Sequence, residues 1–412
     1  MRNRHPELLI PASSLEVLKT AVMFGADAVY IGGEAFGLRA KAKNFSMEDM
    51  KEGVQFAHEH GARVHVTVNI LAHNDDLEGA AEYLKELKEI GPDALIIADP
   101  AIFMLAKEIC PEIERHVSTQ ANNTNYGTFN FWWNLGAKRV VTARELSLKE
   151  IREIRAHIPA EMEIESFIHG AMCISYSGRC LLSNFFTGRD ANQGACTHPC
   201  RWKYSVVEET RPGEYMPVYE NERGTYIFNS KDLCMIEHIP EMIDAGIDSF
   251  KIEGRMKTAL YVATVARTYR KAIDDYLEDP KKYEANMPWY RDQISNCTYR
   301  QFTTGFYFGK PGDESQIYDS NTYIKEYIYL GIIGGIKDGM YRIEQRNKFS
   351  VGETVEIMKP DGQNVEVTVE KIVDENGQEQ ESAPHPKQVL YVALSGEASV
   401  YDILRRQEGV TE

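Results

Sequence analysis

The chain has 412 residues with an ordinary share of hydrophobic (43%) and charged (26%) residues and a net charge of −16 at neutral pH, so its length allows one large domain and a smaller one. The acidic charge argues against a protein that coats nucleic acid over its whole surface, and no apolar run approaches the ~18 residues that a membrane-spanning helix needs. The N-terminal residues have no pattern typical of a signal peptide, so we expect a cytoplasmic protein with reduced thiols and no membrane partner.

Short apolar runs alternate with helical patterns from residue 8 to about residue 280. The first unit pairs the apolar run 8–10 with a helix whose Ser13-x-x-Glu16 pattern is a capping box and whose end is marked by Gly25. Eight such units predict an α/β fold, namely a TIM-type (β/α)8 barrel over residues 1–285, with a doubly wound open sheet as the alternative. The remaining predicted strands are 28–32, 63–70, 94–98, 116–120, 139–142, 163–168 and 249–253.

Polar residues alternate with apolar residues in two of these strands. In the run 63–70, valines alternate with His65, Thr67 and Asn69, and Lys251 and Glu253 alternate with apolar neighbours in the last strand. Successive side chains of a strand point to opposite faces, so one face can pack on helices while the polar face points into the barrel. This pattern favours a closed barrel with a polar site inside it.

The connection after the seventh predicted strand is much longer than an ordinary barrel loop. We expect an insertion at about residues 170–230, which includes a hairpin of strands 202–207 and 215–219. This insertion leaves the C-terminal end of a barrel strand, where barrel enzymes have their active sites. Between residues 173 and 203 it contains four basic residues and one acidic residue, and Arg39, Lys41 and Lys43 form a second basic run.

The C-terminal part of the chain has a different pattern. Residues 286–322 are predicted to be a connector, and residues 323–412 contain short strands separated by the turns 337–339 and 360–362. This pattern predicts a small antiparallel β-barrel domain. The domain contains no catalytic constellation, so it is either a substrate-docking module or a structural appendage.

Five of the seven cysteines lie between residues 165 and 234. In a cytoplasmic protein, clustered cysteines indicate a metal site or a catalytic thiol before disulfides. We rank a [4Fe–4S] cluster first, because its ligands can be widely spaced. A zinc site with four cysteine ligands is second, since only Cys196 and Cys200 have the short spacing of a zinc knuckle. A catalytic thiol at Cys173, with His169 as its base, is third.

The motif Glu165-x-Phe167-x-x-Gly170-Ala171-Met172-Cys173-x6-Cys180-Leu181-Leu182-Ser183 resembles the signature of peptidase family U32. The resemblance covers essentially the whole chain, including residues 39–46, 144–147 and 251–255. The family is named for a collagenase-like protease activity, but several members are understood as oxygen-independent hydroxylation proteins with a [4Fe–4S] cluster. The chain most resembles the bacterial tRNA-hydroxylation branch, which has the appended β domain.

The resemblance implies a tRNA-modifying enzyme that converts the wobble uridine, U34, to 5-hydroxyuridine. It implies the anticodon region of tRNA as a partner and prephenate as a co-substrate or required metabolite. A paralogous protein is a further candidate partner. A U32-type peptidase and a non-catalytic iron–sulfur scaffold subunit are the alternatives, although the sequence has neither a His-Glu-x-x-His motif nor a Gly-x-Ser-x-Gly elbow.

The ligand pattern of the quinone-modifying branch of the family implies four metal ligands in this chain. They are Cys173, Cys180, Cys196 and Cys234. A C-x3-C pair in a paralogue of that branch corresponds to Cys196 and Cys200, so Cys200 is an alternative to Cys234 as the fourth ligand.

A hydroxylase of this kind also needs side chains that bind an anionic metabolite and transfer protons. Arginines at the barrel mouth suit a dicarboxylate, and an acid or base near the cluster suits proton transfer. The two basic runs are candidates for contacts with tRNA phosphates. The predicted substrate-binding residues are Arg39, Arg144 and Arg179, and the predicted catalytic residues are Glu253, His169 and Arg255.

Overall fold

The computed structural model describes the following residues of the chain: 5–34, 36, 44–173, 175–177, 179–189, 196–197, 199, 205–207, 215–217, 229–297, 301–311, 316–317 and 327–408. They pack into two units. The first unit lies within 1–22, 26–257 and 300–322, and the second within 23–25, 258–299 and 323–412.

The first unit contains fourteen strands among its described residues. In chain order they are β1 (Glu7–Pro11), β2 (Ala28–Gly32), β3 (Arg63–Val68), β4 (Ala94–Ile97), β5 (Glu114–Val117), β6 (Arg139–Val141), β7 (Glu163–Gly170), β8 (Ser205–Val207), β9 (Tyr215–Pro217), β10 (Asn229–Ser230), β11 (Asp232–Cys234), β12 (Ser249–Ile252), β13 (Phe302–Thr303) and β14 (Gln316–Ile317).

Eight parallel strands form a closed barrel. Strands β1 to β7 pair in chain order, and β12 pairs with both β7 and β1 and so closes the ring. The predicted TIM-type barrel is therefore confirmed, and the open-sheet alternative is wrong. The pairing of β12 with β7 has a register shift between Lys251 and Ile252. Such a bulge is common at barrel rims, where it changes the direction of nearby side chains.

Helices alternate with these strands as predicted. They are α1 (Leu15–Met23), α2 (Met47–Glu59), α3 (Leu77–Ile90), α4 (Pro100–Ile109), α5 (Tyr126–Leu135), α6 (Leu148–His157), α7 (Leu182–Thr187) and α8 (Ile239–Asp244). Side-chain caps fix several of their N-termini. Asp99 caps α4, where Pro100 occupies the first turn, and Ser147 forms a capping box with Glu150 at the start of α6.

Additional strands of the first unit lie outside the closed ring of eight. The predicted hairpin is present as the antiparallel pair β8–β9. Strand β11 runs antiparallel to the end of β7, with Cys234 opposite His169, and β13 pairs in parallel with β11. Strands β10 and β14 form a separate two-stranded antiparallel sheet.

The second unit contains three helices and an antiparallel barrel. The helices are α9 (Ala259–Glu278), α10 (Pro280–Ala285) and α11 (Met287–Ser295). The strands are β15 (Tyr327–Lys337), β16 (Met340–Glu344), β17 (Thr354–Met358), β18 (Asn364–Asp374), β19 (Glu379–Gln380), β20 (Val389–Leu394) and β21 (Ile403–Gln407).

Six strands of this unit close on themselves in the order β17-β21-β15-β16-β20-β18, because β18 pairs with β17 as well as with β20. Strand β19 adds a short hairpin to β18. Alternate apolar residues fill the interior, among them the fully buried Ile343, Phe349, Ile357 and Leu404. The predicted small antiparallel β-barrel is therefore confirmed.

The packing divides the chain at different positions from the predicted boundaries. Helices α9 to α11 belong to the second unit, whereas the prediction places the boundary at residue 285. Arg267 of α9 explains the difference, because it donates hydrogen bonds to Lys359 O (2.9 Å) and Asn364 Oδ1 (3.0 Å). Residues 301–309 return to the first unit, where the Leu148 amide donates to Tyr307 O. Within the described ranges, no helix combines the length and hydrophobicity that crossing a bilayer requires.

Candidate functional site at the barrel mouth

A cavity of about 130 Å³ lies at the C-terminal ends of the barrel strands. Active sites of barrel enzymes occupy this end of the fold. The volume suits a small metabolite, because pockets for drug-sized ligands begin at about 300 Å³. The lining residues are Tyr30, Thr67, Asn69, Ile96, Ser118, Thr119, Gln120, Arg144, Phe167, Ser177, Lys251, Glu253 and Arg255.

Arg255 follows β12 and reaches across the barrel to β3. Its Nη1 donates a hydrogen bond to Thr67 Oγ1 at 2.9 Å, and the residue is 7% exposed. Gly32, at the end of β2, makes room for this arrangement. A Cβ on Gly32 would lie 2.5 Å from Nη1 of Arg255, so the absence of a side chain at Gly32 lets the guanidinium occupy the cavity wall.

Arg144 follows β6 and lies on the opposite side of the same cavity. Its guanidinium carbon lies 4.1 Å from the ring centroid of Phe167, and Nη1 donates to Ala171 O at 3.1 Å. Its Nη2 is 3.6 Å from the Glu253 carboxylate. Stacking on an aromatic face and a planar set of donors hold an arginine in one orientation. Arg144 is therefore fixed, and its buried Nε has no hydrogen-bond partner among the described residues.

Gln120 provides a second donor in the cavity wall. It follows β5 and is 2% exposed, and its Nε2 has no hydrogen-bond partner in the described part of the chain. Buried polar groups are normally paired, and each exception needs an explanation. Two such donors on one cavity, Gln120 Nε2 and Arg144 Nε, indicate a ligand that accepts hydrogen bonds.

Lys251 forms the cationic floor of the cavity. Its Nζ lies 2.6 Å from Glu165 Oε1 and 4.5 Å from the ring centroid of Tyr30. Glu165 is fully buried and also accepts a 3.1 Å hydrogen bond from Arg139 Nη1. The floor is therefore rigid, because each charged group is held by a partner of opposite sign.

Arg139 connects this floor to the lower part of the barrel. It contacts the carboxylates of Glu7, Glu163 and Glu165, which come from β1 and β7. Burial alone would raise the pKa of Glu7, but the nearby Arg139 guanidinium outweighs burial and holds that pKa well below its usual range. The same carboxylates raise the pKa of Arg139 against the opposing effect of burial.

The four predicted metal ligands lie in the loop after β7 and on β11. Cys173 and Cys196 are exposed, and Cys180 and Cys234 are half-buried, in contrast to the buried Cys110 and Cys297. None of these six cysteines forms a disulfide. The donor set fits a thiolate-bound group, because four reduced and accessible cysteines follow the end of β7 or pair with it.

The spacing of these thiols bears on the choice between zinc and an iron–sulfur cluster. Zn–S bonds of about 2.3 Å in a tetrahedron need sulfurs only about 3.8 Å apart. No candidate group of three metal ligands among the described residues contains a cysteine. A cubane cluster binds each thiolate to a different iron and so needs wider spacing. Zinc and an iron–sulfur cluster therefore both stay predictions for these thiols.

The remaining predicted residues have different positions. His169 is 1% exposed on β7 between β11 and β12, does not line the cavity, and has a pKa that burial lowers to about 3. It is therefore neutral at physiological pH. Arg179 is exposed on the loop and does not line the cavity either. Arg39 and Cys200 lie outside the described residues.

The cavity thus brings together three predicted residues, Arg144, Glu253 and Arg255. It also contains Lys251 and Gln120, to which the sequence analysis gives no role. Alternation in the last barrel strand places Lys251 inside the barrel, and a lysine in a strand that is otherwise apolar is a signal for a site. No sequence pattern marks Gln120, which follows the four-residue strand β5.

Comparison with known proteins places the chain among relatives. The model of the family described as "Peptidase family U32" matches residues 13–317, and "Peptidase family U32 C-terminal domain" matches residues 325–405. The chain belongs to peptidase family U32. The first matched segment includes strands β2 to β14 and helices α1 to α11, and the second includes strands β15 to β20 and the start of β21.

Three relatives of this U32 chain have informative names. It is 43% identical to the tRNA hydroxylation protein P1 of Bacillus subtilis over 405 residues, which is 98% of this chain and 95% of that protein. It is 39% identical to the tRNA hydroxylation protein P of Escherichia coli, over 92% of this chain and 91% of that protein. The 23S rRNA 5-hydroxycytidine C2501 synthase of E. coli is 41% identical over 66% of this chain and 40% of the relative.

Proposed function

We propose that this protein hydroxylates tRNA, forming 5-hydroxyuridine at the wobble position U34. The observation that carries the proposal is the 43% identity to a tRNA hydroxylation protein over 98% of the chain. Similarity of this extent includes both units of the fold. A relative named as a 5-hydroxycytidine synthase supports hydroxylation of a pyrimidine as the common reaction.

The mouth cavity is the proposed binding site for a small dicarboxylate such as prephenate. Arg144, Lys251 and Arg255 give the cavity three cations against the single carboxylate of Glu253 on its wall. Guanidinium groups bind carboxylates through paired hydrogen bonds, which fix the orientation of the anion. The donors Arg144 Nε and Gln120 Nε2 add polar contacts for the same ligand.

We propose Cys173, Cys180, Cys196 and Cys234 as the ligands of a [4Fe–4S] cluster, with Cys200 as the alternative to Cys234. Such a cluster would supply one-electron redox chemistry without molecular oxygen. Glu253, 3.6 Å from Arg144, is the proposed proton-transfer group at the cavity. His169 is neutral and lies opposite Cys234 in the sheet, so it adds no charge beside that proposed ligand.

The loop after β7 is the proposed contact surface for the anticodon region. It exposes Tyr176, Phe185 and Phe186, and Arg179 and Arg189 are exposed within the same fourteen residues of an acidic chain. Proteins that read single-stranded RNA loops stack bases on aromatic rings and bind phosphates with arginines. The loop follows the strand that lines the cavity, so a flipped base could reach the mouth.

The test combines nucleoside mass spectrometry with cluster analysis. Cells that lack the gene are complemented with the unaltered protein, with Arg255→Ala, or with Arg152→Ala as a matched control on the exposed face of α6. We expect 5-hydroxyuridine derivatives with the unaltered protein and the control and their loss with Arg255→Ala. Iron and acid-labile sulfide, measured on anaerobically purified proteins, should stay at about four each per chain in all three.

Two results would overturn the proposal. Unchanged tRNA modification in cells without the gene and its paralogues would refute tRNA as the substrate. Absence of iron from anaerobically purified protein would refute the proposed cluster. Iron content measured in the same way for Cys173→Ala, Cys200→Ala and Cys234→Ala would identify its ligands. Hydrolysis of a collagen-like peptide by the purified protein, without any effect on tRNA, would support the peptidase alternative instead.

A further inference from the structure

Two histidines and a glutamate meet inside the barrel, below the cavity. His65 on β3, His116 on β5 and Glu165 on β7 are each fully buried. One nitrogen from each histidine and one oxygen of the carboxylate lie within 4.8 Å of one another. The two imidazole rings meet edge to face, with centroids 4.8 Å apart.

This cluster forms one layer of the barrel interior. Alternate strands of a parallel barrel contribute the side chains of one layer, and β3, β5 and β7 are alternate strands of this ring. Two residues further along each strand, Thr67, Ser118 and Phe167 line the mouth cavity. The cluster therefore lies one layer of side chains below the cavity floor.

The histidines lack the hydrogen bonds that buried imidazoles normally make. Both ring nitrogens of His65 and Nδ1 of His116 are buried without a partner in the described part of the chain. A neutral imidazole has one nitrogen with a lone pair that can bind a metal ion.

A carboxylate orients one of the two rings. His116 Nε2 lies 3.1 Å from Glu114 Oε2, and Arg63 holds that carboxylate at 2.7 Å. A neutral His116 that donates from Nε2 has its lone pair on Nδ1, the nitrogen without a partner among the described residues. A ligand histidine in a metal site is commonly held by a carboxylate in this way, through its second nitrogen.

We propose that His65, His116 and Glu165 hold a divalent transition-metal ion of the zinc or iron(II) class. Two imidazoles and one carboxylate are a usual donor set for these ions. Around the cluster, the carboxylates of Glu7, Glu114, Glu163 and Glu165 face the cations Arg63, Arg139 and Lys251, with Lys138 contacting Glu163 from the surface.

The burial of the cluster decides its role. All three ligands have no exposed surface and none lines the cavity, so a polymeric substrate cannot reach the ion. The ion is structural: it replaces the missing hydrogen bonds of the histidines and joins β3, β5 and β7 beneath the cavity. The cysteine-bound group is separate, since no cysteine belongs to this cluster in the described residues.

The test uses the full-length chain and does not depend on tRNA modification. Zinc, iron and manganese are measured by mass spectrometry, together with acid-labile sulfide, in the Cys173→Ala/Cys180→Ala protein. We expect about one metal ion per chain beyond any sulfide-bound iron. Adding His65→Gln or His116→Gln should remove this ion, whereas His238→Gln, a half-buried histidine that contacts Glu241, should retain it.

Cobalt provides a second readout if a histidine variant fails to fold. Co²⁺ added to the metal-depleted Cys173→Ala/Cys180→Ala protein should give d–d absorption bands of a nitrogen- and oxygen-ligated ion. Metal retained in both folded histidine variants would overturn the proposal. So would a metal-free protein that gives no Co²⁺ bands, or a metal ion that leaves together with the two cysteines.

Discussion

Replacing Gly32 with alanine tests how the barrel positions Arg255. A Cβ at this position would lie 2.5 Å from Arg255 Nη1 and 3.0 Å from Thr67 Oγ1. Nη1 is the end of a flexible side chain, whereas Gly32 is strand backbone, so the guanidinium must move. We expect Gly32→Ala to break the 2.9 Å hydrogen bond between Arg255 and Thr67 and to displace the charge from the cavity wall.

The expected loss of prephenate affinity follows from the hydrogen bond to prephenate that a displaced Arg255 can no longer donate. A hydrogen bond to a charged group contributes about 1.5–3 kcal/mol, and each 1.4 kcal/mol, roughly, is tenfold in affinity. Binding of prephenate, measured by calorimetry, should therefore weaken roughly 10- to 100-fold. The free energy of unfolding should also fall, by up to about 3 kcal/mol, because the buried hydrogen bond from the Arg255 guanidinium to Thr67 is lost.

A double-mutant cycle gives the control. If the new methyl group acts through Arg255, the Gly32→Ala/Arg255→Ala protein should bind prephenate as weakly as Arg255→Ala alone. Wild-type affinity in Gly32→Ala, with weak binding in Arg255→Ala, would refute the proposed steric coupling. Fully additive losses in the double variant would show that the glycine acts on the ligand by another route.

Three further substitutions test the barrel around the site. Arg139→Met leaves the buried carboxylates of Glu7 and Glu165 without their cation, so urea unfolding should show a loss of about 3–5 kcal/mol at pH 7. Burial lowers the folded-state pKa of His169 to about 3. Its contribution to stability is therefore full above about pH 6.5 and declines as the pH falls toward 3. The difference in unfolding free energy between wild type and His169→Gln should narrow as the pH falls over that range, and a constant difference would contradict this prediction. Gly170→Ala should destabilise far more than Gly188→Ala: both glycines have positive φ, but only at Gly170 would a Cβ lie 2.4 Å from a backbone carbonyl oxygen, whereas nothing lies within 4 Å of a Cβ at Gly188. Equal melting temperatures for these two variants would refute that reasoning.

The sequence predicts the barrel well because its signal is local. Alternation of Val64, Val66 and Val68 with His65 and Thr67 defines an outer and an inner face within six residues. The repeated change from strand period to helix period then limits the fold to a few architectures. Closure itself depends on pairing of β12 with β1, residues more than two hundred positions apart, and only the structure gives that pairing.

The candidate site is less predictable because its contacts are long-range. Arg255 and Thr67 are 188 residues apart in sequence and meet only because the barrel closes. The role of Lys251 depends on Glu165, and that of Gln120 depends on the donor that it leaves unpaired among the described residues. Sequence patterns identify residues suited to a site, but their partners follow from the register of the strands.

The second unit illustrates the same limit for a helix. Helix α9 follows the last barrel strand, so chain order alone assigns it to the barrel domain. Its buried residues include Arg267, whose guanidinium donates to Lys359 O, Asn364 Oδ1 and the side chain of Gln293. A buried charge needs such partners, and all of them belong to the second unit.

Lys251 connects the two layers of the barrel interior, and this determines which substitutions are informative. Its ammonium group lines the cavity, and it also holds Glu165, one of the three proposed ligands of the lower layer. A Glu165 substitution would therefore alter the cavity charge, the Arg139 network and the metal ligands together. His65 and Gly32 each contact a single layer, because His65 does not line the cavity and a methyl group on Gly32 would meet Arg255 and Thr67. We expect His65→Gln to lose the metal ion and keep prephenate binding, and Gly32→Ala to keep the metal ion and lose prephenate affinity. These two results together would show that the sites are separate.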